Sequence, residues 1–184
     1  PQSAYGSVVS VNREVDEKLA REICNTYVEV IIAPAFSSDA LTVMKKKDTM
    51  RVLVLPDKTE ADEIRTIDGG VLVQRTPAYQ EHWKVITDRD PTPDEMKALE
   101  LAWKVCKHTK SNTIIFADQK HTLGIGAGQM SRVDSAKIAI EKACGSLKGS
   151  AVASDAFLPF ADTLEVAAQA GATALVQPGG SIRD

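Results

Sequence analysis

Gly124-Ile125-Gly126-Ala127-Gly128 lies between an apolar run and a stretch with helical spacing, and Arg132 stands where that stretch begins. Small residues at such a turn let backbone N–H groups approach a ligand, and a guanidinium beside a helix N-terminus makes a site for an anion. The same glycines equally serve a tight strand-to-helix turn that needs positive φ and close packing. Both readings stand on this segment alone. A dinucleotide fingerprint fits less well, because G-x-G-x-x-G requires glycine where Gln129 stands, and no acidic residue sits cleanly at the end of a following strand. Two more segments share the design: Ser154-Asp155-Ala156-Phe157-Leu158-Pro159-Phe160-Ala161-Asp162 and Gln177-Pro178-Gly179-Gly180-Ser181-Ile182-Arg183-Asp184. Each follows a strand-like run and bends on proline or glycine. Open α/β sheets bind ligands at the carboxyl ends of their strands. Three such loops predict one composite site for a polar, anionic ligand.

Other side chains add to that picture. Asn112 precedes a buried run; its amide would suit a carboxamide or formyl oxygen, although alone it reads as a turn residue bonded to its own backbone. Asp162 reads as a helix N-cap and Asp155 as a turn residue. Phe157 and Phe160, with Pro159 and two carboxylates close by, read as the wall of a pocket for a planar ring. His82, His108 and His121 are scattered, and Cys24, Cys106 and Cys144 form no Cys-x-x-Cys. The His-x-Glu and Pro-Cys-x-x-Cys set of zinc deaminases is absent from the sequence, so no metal is expected. No Ser-His-Asp set or nucleophile elbow can be assembled either.

The elements that must position these groups follow from periodicity. Residues 8–11 read as a strand, and residues 13–27 as a helix striped by Val15, Leu19, Ile23 and Tyr27. Residues 28–33, an apolar run broken only by Glu29 and ended by Pro34, read as a buried strand, residues 37–47 as a helix, and residues 51–55 as a strand ended by Pro56. A strand over residues 71–74 follows Gly69-Gly70, and residues 83–87 read as another. Thr92 and Glu95 have capping-box spacing with Pro93 suited to the first turn, opening a helix to about residue 110. Then come strands at 113–116 and 123–125, a helix at 132–144 with Val133, Ile140 and Cys144 inward, a strand at 151–153, a helix at 163–170 and a strand at 172–176. Alternating strands and helices predict a layered α/β sheet, and the Asp-Pro-rich stretch at 88–93 predicts two lobes, 1–90 and 91–184.

Bulk properties narrow the classes. The chain has 184 residues, 43% hydrophobic and 26% charged, with a net charge of −3. That is an ordinary globular balance. Lys45-Lys46-Lys47 and the Lys104, Lys107, Lys110 set read as solvated helix faces, which speaks against nucleic acid as a partner. No apolar run approaches the roughly 18 residues of a membrane span. The chain begins at Pro1 without a secretory pattern, and three widely spaced cysteines predict a reduced, cytoplasmic protein with buried free thiols.

Taken together, the blocks resemble one family, the formyltransferase domain of bifunctional purine biosynthesis proteins. That is 5-aminoimidazole-4-carboxamide ribonucleotide (AICAR) formyltransferase, usually fused to IMP cyclohydrolase. The resemblance begins at Pro1-Gln2-Ser3-Ala4-Tyr5-Gly6 and includes Glu29-Val30-Ile31-Ile32-Ala33-Pro34. It is most specific at Lys110-Ser111-Asn112, residues 124–132, residues 154–160 and residues 177–184. It implies two cytidine-deaminase-like α/β lobes without zinc, a homodimer, and formyl transfer from 10-formyltetrahydrofolate to the 5-amino group of AICAR. By position it implies that Gly6, Glu29, Asn112, Arg132 and Phe157 contact the nucleotide, Asn112 also orienting or stabilising the reacting group. It implies that Val133, Asp162, Ser181 and Ile182 line the folate side. The family's catalytic Lys-His pair and its Arg-Tyr-Gly motif correspond to segments preceding Pro1, and its closing Arg- and His-rich stretch to one following Asp184. The expectation is therefore a part of that domain, inactive alone. The alternatives are a non-catalytic binding subunit that completes a site with a partner chain, and a related enzyme acting on another amine.

Overall fold

The computed structural model describes residues 5–56, 62–75 and 83–182. Two compact units emerge, Pro1–His82 and Trp83–Asp184. His82, Pro1 to Ala4, Arg183 and Asp184, all named above, lie outside the described residues.

In the first unit, β1 (Ser7–Ser10), β2 (Val28–Ala33) and β3 (Arg51–Val54) form a parallel sheet in the order β1-β2-β3. Helices α1 (Glu17–Cys24) and α2 (Ser38–Met44) supply Ala20, Ala40 and Met44 to a core with Val15, Ile31 and Ala33. The first helix is shorter than its stripe predicts. Val15 is drawn into a bridge with Phe36, where its N–H donates to Ala35 O at 3.0 Å and its C=O accepts from Ser37 N at 3.0 Å. Asp16 then caps the helix, accepting from Leu19 N at 2.8 Å. The buried side consequently falls on Ala20, with Ile23 and Cys24 partly buried against the core, while Leu19 and Tyr27 remain exposed. Beyond β3, β4 (Asp62–Ile67) and β5 (Gly70–Arg75) make an antiparallel hairpin. Of these strands, the periodicity of the sequence predicts only the second. Asp68-Gly69, with Gly69 at φ +75°, is the turn pair that would have revealed the first.

The second unit is a three-layer sandwich. Its sheet runs β7-β6-β8-β9, built from β6 (Ile114–Ala117), β7 (Thr122–Gly126), β8 (Ala151–Ser154) and β9 (Ala174–Val176). Strand β6 is antiparallel to β7 and β8, and β8 is parallel to β9, so the sheet is mixed. Strands β6 and β8 are buried throughout, as apolar runs covered on both faces should be. Ile115, Ala117 and Ala153 face α3 (Pro93–Lys107) with Ala102 and Cys106. Ile114, Phe116 and Val152 face α4 (Arg132–Glu141) and α5 (Asp162–Gln169) with Ala136, Ala139 and Ala167. The capping box on α3 forms as predicted: Glu95 N donates to Thr92 Oγ1 at 3.2 Å, and Thr92 N to Glu95 Oε2 at 2.8 Å.

Residues 83–87 form no strand. They belong to a segment fastened through side chains instead. Arg89 forks onto both Glu95 oxygens at 2.9 and 3.0 Å and donates to Thr173 O at 2.8 Å, while Trp83 meets Trp103 edge-on at 6.5 Å. Helix α4 ends at Glu141, short of the predicted end at residue 144. Cys144 is therefore exposed rather than inward, Cys24 is half-buried, and only Cys106 is a buried thiol.

Candidate functional site

Register decides where the loops meet. Ile114 pairs with Gly126 on one side and Ser154 on the other, and Ala153 pairs with Val176. The start of β6 therefore lies level with the ends of β7, β8 and β9. The segments following those three strands all leave from one end of the sheet, as does the turn 110–113 that enters β6. Leu158 N donates to Gln177 Oε1 at 2.5 Å, which joins the second and third segments.

The glycines divide into two roles. A Cβ on Gly124 would sit 2.2 Å from Ala139 O, and one on Gly126 would sit 1.8 Å from Ser135 O. These two residues let α4 lie directly on β7, so their first duty is packing. Gly128 has open space around it and φ +68°, and its N–H donates to Lys110 O at 2.8 Å. It turns the chain toward Ser131, which caps α4 by accepting from Asp134 N at 3.2 Å.

Asn112 is held from two sides. Its backbone N–H and its Nδ2 both donate to Gln129 O, at 3.3 and 3.0 Å, and its C=O accepts from Ser135 Oγ at 2.7 Å. One amide hydrogen is thereby used in orienting the side chain. The second, together with Oδ1, makes no hydrogen bond among the described residues. The Ser111–Asn112 peptide is cis.

Arg132 is the first residue of α4, with its side chain 23% exposed. Its Nη2 lies 3.6 Å from Asp155 Oδ1, near enough for attraction but too far for a hydrogen bond. Its Nε is buried with no partner. A neighbouring carboxylate thus partly offsets the charge of this guanidinium. Asp155 itself accepts from Ser111 Oγ through Oδ2, and from Thr113 N at 3.1 Å through Oδ1. Cys106 feels this pair from α3: burial first, then the Asp155 charge, push its thiol up to about 12, with Arg132 pulling the other way. It stays protonated near neutrality and is no nucleophile.

The remaining predicted residues are placed as follows. Phe157 is 43% exposed. Val133 is half-buried on α4, and Asp162 opens α5. Asp162 is not the N-cap expected for it: Ala161 holds that position without a side-chain bond, and Asp162 Oδ1 accepts from Thr163 N at 2.7 Å. Ser181 is half-buried and Ile182 fully exposed. In the first unit Gly6, at φ +79°, backs onto Glu29 so closely that a Cβ would lie 3.1 Å from Oε1. Ser135 and Gln129, which hold Asn112, were not foreseen as site residues. Their small-residue and loop contexts carry no chemical signal by themselves.

A cavity of about 910 Å³ in the second unit borders the second and third of these loops; it is lined by the 83–91 segment, β9, α5, Leu158 to Ala161 and Gln177. None of Asn112, Arg132, Phe157 or Asp162 lines it. Its walls are chiefly apolar and bring no cluster of reactive groups together, so the polar end of the sheet is the better candidate. Among the described residues, no group of three or more His, Cys, Asp or Glu could hold a metal ion. His121 pairs with Asp118 at 3.3 Å in a turn.

Comparison with known proteins gives a consistent picture. Residues 1–142 match the family model described as AICARFT/IMPCHase bienzyme. The chain is 48% identical over 190 residues to the bifunctional purine biosynthesis protein PurH of Lysinibacillus sphaericus, covering 100% of this chain and 37% of that protein. It is 49% identical to the protein of the same name from Halalkalibacterium halodurans, again covering 100% and 37%. With the Nostoc sp. protein of that name it shares 47% over 187 residues, 99% of this chain and 37% of the relative. The chain thus spans little more than a third of the relatives' length.

Proposed function

The chain belongs to the AICARFT/IMPCHase bienzyme family, and on that premise we propose that it forms part of an AICAR formyltransferase. The reaction moves the formyl group of 10-formyltetrahydrofolate to the 5-amino group of AICAR, a step toward IMP. One observation carries the reading. Asn112 and Arg132 are each anchored at the same end of the sheet with hydrogen-bonding groups unspent.

The amine of AICAR is a weak nucleophile, since its lone pair is shared with the ring and carboxamide. Attack on the formyl carbon needs a base to take the amine proton and donors to meet the oxyanion that forms. Asn112 offers its free amide hydrogen and Oδ1 for orientation of the reacting groups. Arg132 offers N–H groups to a phosphate or carboxamide oxygen. The exposed Phe157 ring supplies a face for the imidazole. The family resemblance assigns nucleotide contacts to Gly6 and Glu29 as well, and the folate side to Val133, Asp162, Ser181 and Ile182. The resemblance further implies zinc-free, cytidine-deaminase-like lobes, part of one over residues 1–90 and a second over 91–184. The active assembly is a cytoplasmic homodimer whose polypeptide also carries an IMP cyclohydrolase domain, with no nucleic-acid partner.

The cluster itself includes no histidine, the commonest general base. The Cys106 thiol is pushed to about 12 and Asp155 is engaged with Ser111, Thr113 and Arg132. That same observation favours the second reading, a nucleotide- and folate-binding part that completes its site with other residues. The test is formation of formyl-AICAR from AICAR and 10-formyltetrahydrofolate by the native gene product. Turnover dependent on both substrates is expected; binding of both without turnover leaves the second reading, and binding of neither removes both.

A further inference from the structure

Asp155 is not among the groups assigned to either substrate, yet it touches what holds both Asn112 and Arg132. Its carboxylate reaches Ser111 Oγ through Oδ2 and Thr113 N through Oδ1 at 3.1 Å. These are the residues on either side of Asn112. The same Oδ1 lies 3.6 Å from Arg132 Nη2. The side chain is only 10% exposed, so the attraction is little screened by water.

A turn-forming role alone would leave the negative charge unused, since a neutral acceptor could serve Thr113 N–H equally well. The spacing to Arg132 is informative. A charge-assisted hydrogen bond would close to about 2.7–2.9 Å and occupy a donor. Here the guanidinium is attracted but not capped, and its Nε remains buried without an acceptor. On the other side, Asn112 is tied to Gln129 O and Ser135 Oγ, so the carboxylate supplies the link between the turn and the cation.

We propose that Asp155 is a positioning residue for the transfer: it fixes the turn that carries Asn112 and sets the place of the Arg132 guanidinium while leaving its N–H groups to the nucleotide. This rests on the formyltransferase reading above. Misplacing a reacting group by about an ångström costs on the order of 10²-fold in rate. Asp155→Asn keeps the shape and an acceptor oxygen but removes the charge.

The experiment compares Asp155→Asn with the unsubstituted native protein in two ways. The first is kcat and KM for AICAR. We expect kcat to fall about 10²-fold while KM moves less than about threefold and Tm stays near that of the parent. The second is NMR hydrogen exchange at Arg132 Nε–H without substrate, expected to speed up roughly tenfold or more as the side chain loosens. A kcat within about twofold of the parent, or unchanged exchange at Nε–H, overturns the proposal. If the unsubstituted protein transfers no formyl group, the formyltransferase reading falls instead, and the exchange rate alone judges Asp155. Should Asp155→Asn fail to fold, Ser111→Ala removes one tether and keeps the charge. A smaller kcat loss at steady KM is then expected, and parent-like kcat overturns the idea.

Discussion

Arg132 sits in a setting that attracts its charge without consuming its donors. The nearest carboxylate stands at 3.6 Å and Nε has no acceptor. Arg132→Ala is therefore expected to weaken AICAR binding by about 10- to 100-fold, the worth of one or two hydrogen bonds to a charged group. Thermal stability should change little, because no hydrogen bond within the protein is lost at that guanidinium. Titration of AICAR into the variant checks the first outcome, and a melting curve checks the second. Unchanged binding with a large fall in Tm would make the residue structural. The cysteines allow a second test. Cys144 is exposed, Cys24 half-buried, and the buried Cys106 thiol is pushed up to about 12. At mildly alkaline pH a thiol reagent should modify Cys144 first and Cys106 only after unfolding. Mass spectrometry of the modified peptides reads the order, and early labelling of Cys106 would contradict this burial.

Among the elements, the contact between α4 and β7 tolerates the least change. A methyl group on Gly126 would lie 1.8 Å from Ser135 O, a backbone atom that cannot move aside without shifting the helix. Ser135 also holds Asn112 O at 2.7 Å, so any shift reaches the site. Gly126→Ala should cost about 3 kcal/mol or more, at or beyond the upper end for overpacked cores. It should impair AICAR binding even where folding survives; denaturant unfolding and a binding titration measure the two effects. Helix α3 offers a pH test. The Arg89 fork, joined by hydrogen bonds with Thr173 and Thr92, holds the Glu95 carboxyl far below its ordinary 4.5. A carboxylate whose folded value is depressed contributes stability that is complete above its unfolded value and fades as pH falls below it. Stability should thus decline from about pH 4.5 downward, and Glu95→Gln should flatten that part of the curve. Tm measured between neutral and acid pH follows it, and equal acid slopes in both proteins would contradict the assignment.

At the scale of the whole molecule, what is missing from the cluster matters as much as what is present. The buried Cys106 thiol, pushed up to about 12, stays protonated near neutral pH, the Asn112 amide is not basic, and Asp155 is engaged with Ser111, Thr113 and Arg132. These 184 residues alone should turn over AICAR about 10²- to 10⁴-fold more slowly than a polypeptide of the relatives' full length, the usual worth of a general base. An assay with 10-formyltetrahydrofolate on both decides this, and equal turnover would place the base within this chain. Elemental analysis is a further check. Among the described residues no cluster could hold a metal ion, and purified protein should carry no stoichiometric zinc. A tightly held zinc ion in each chain would overturn the zinc-free reading.

Local chemistry in the chain was enough to determine a good deal. The capping box of Thr92 and Glu95 was legible because both partners lie within one turn of each other. The buried strands at Ile114–Ala117 and Ala151–Ser154 were legible because burial on two faces favours a short apolar run. The ordered blocks at residues 110–112, 124–132 and 154–160 were enough to identify the family. Other properties depended on contacts between residues far apart in the chain. Val15 left its helical stripe because Phe36 offered a bridge, and Cys144 turned outward because α4 ended early. The mixed sheet depended on how β6 pairs with both neighbours, and that register brought the three loops to one end. The role of Gly126 depended on the approach of Ser135. Asp155 read as a turn residue until folding carried it, across more than forty positions, to Ser111 and Thr113. Periodicity records which face of an element is buried, whereas the partner on that face is chosen only when the layers pack.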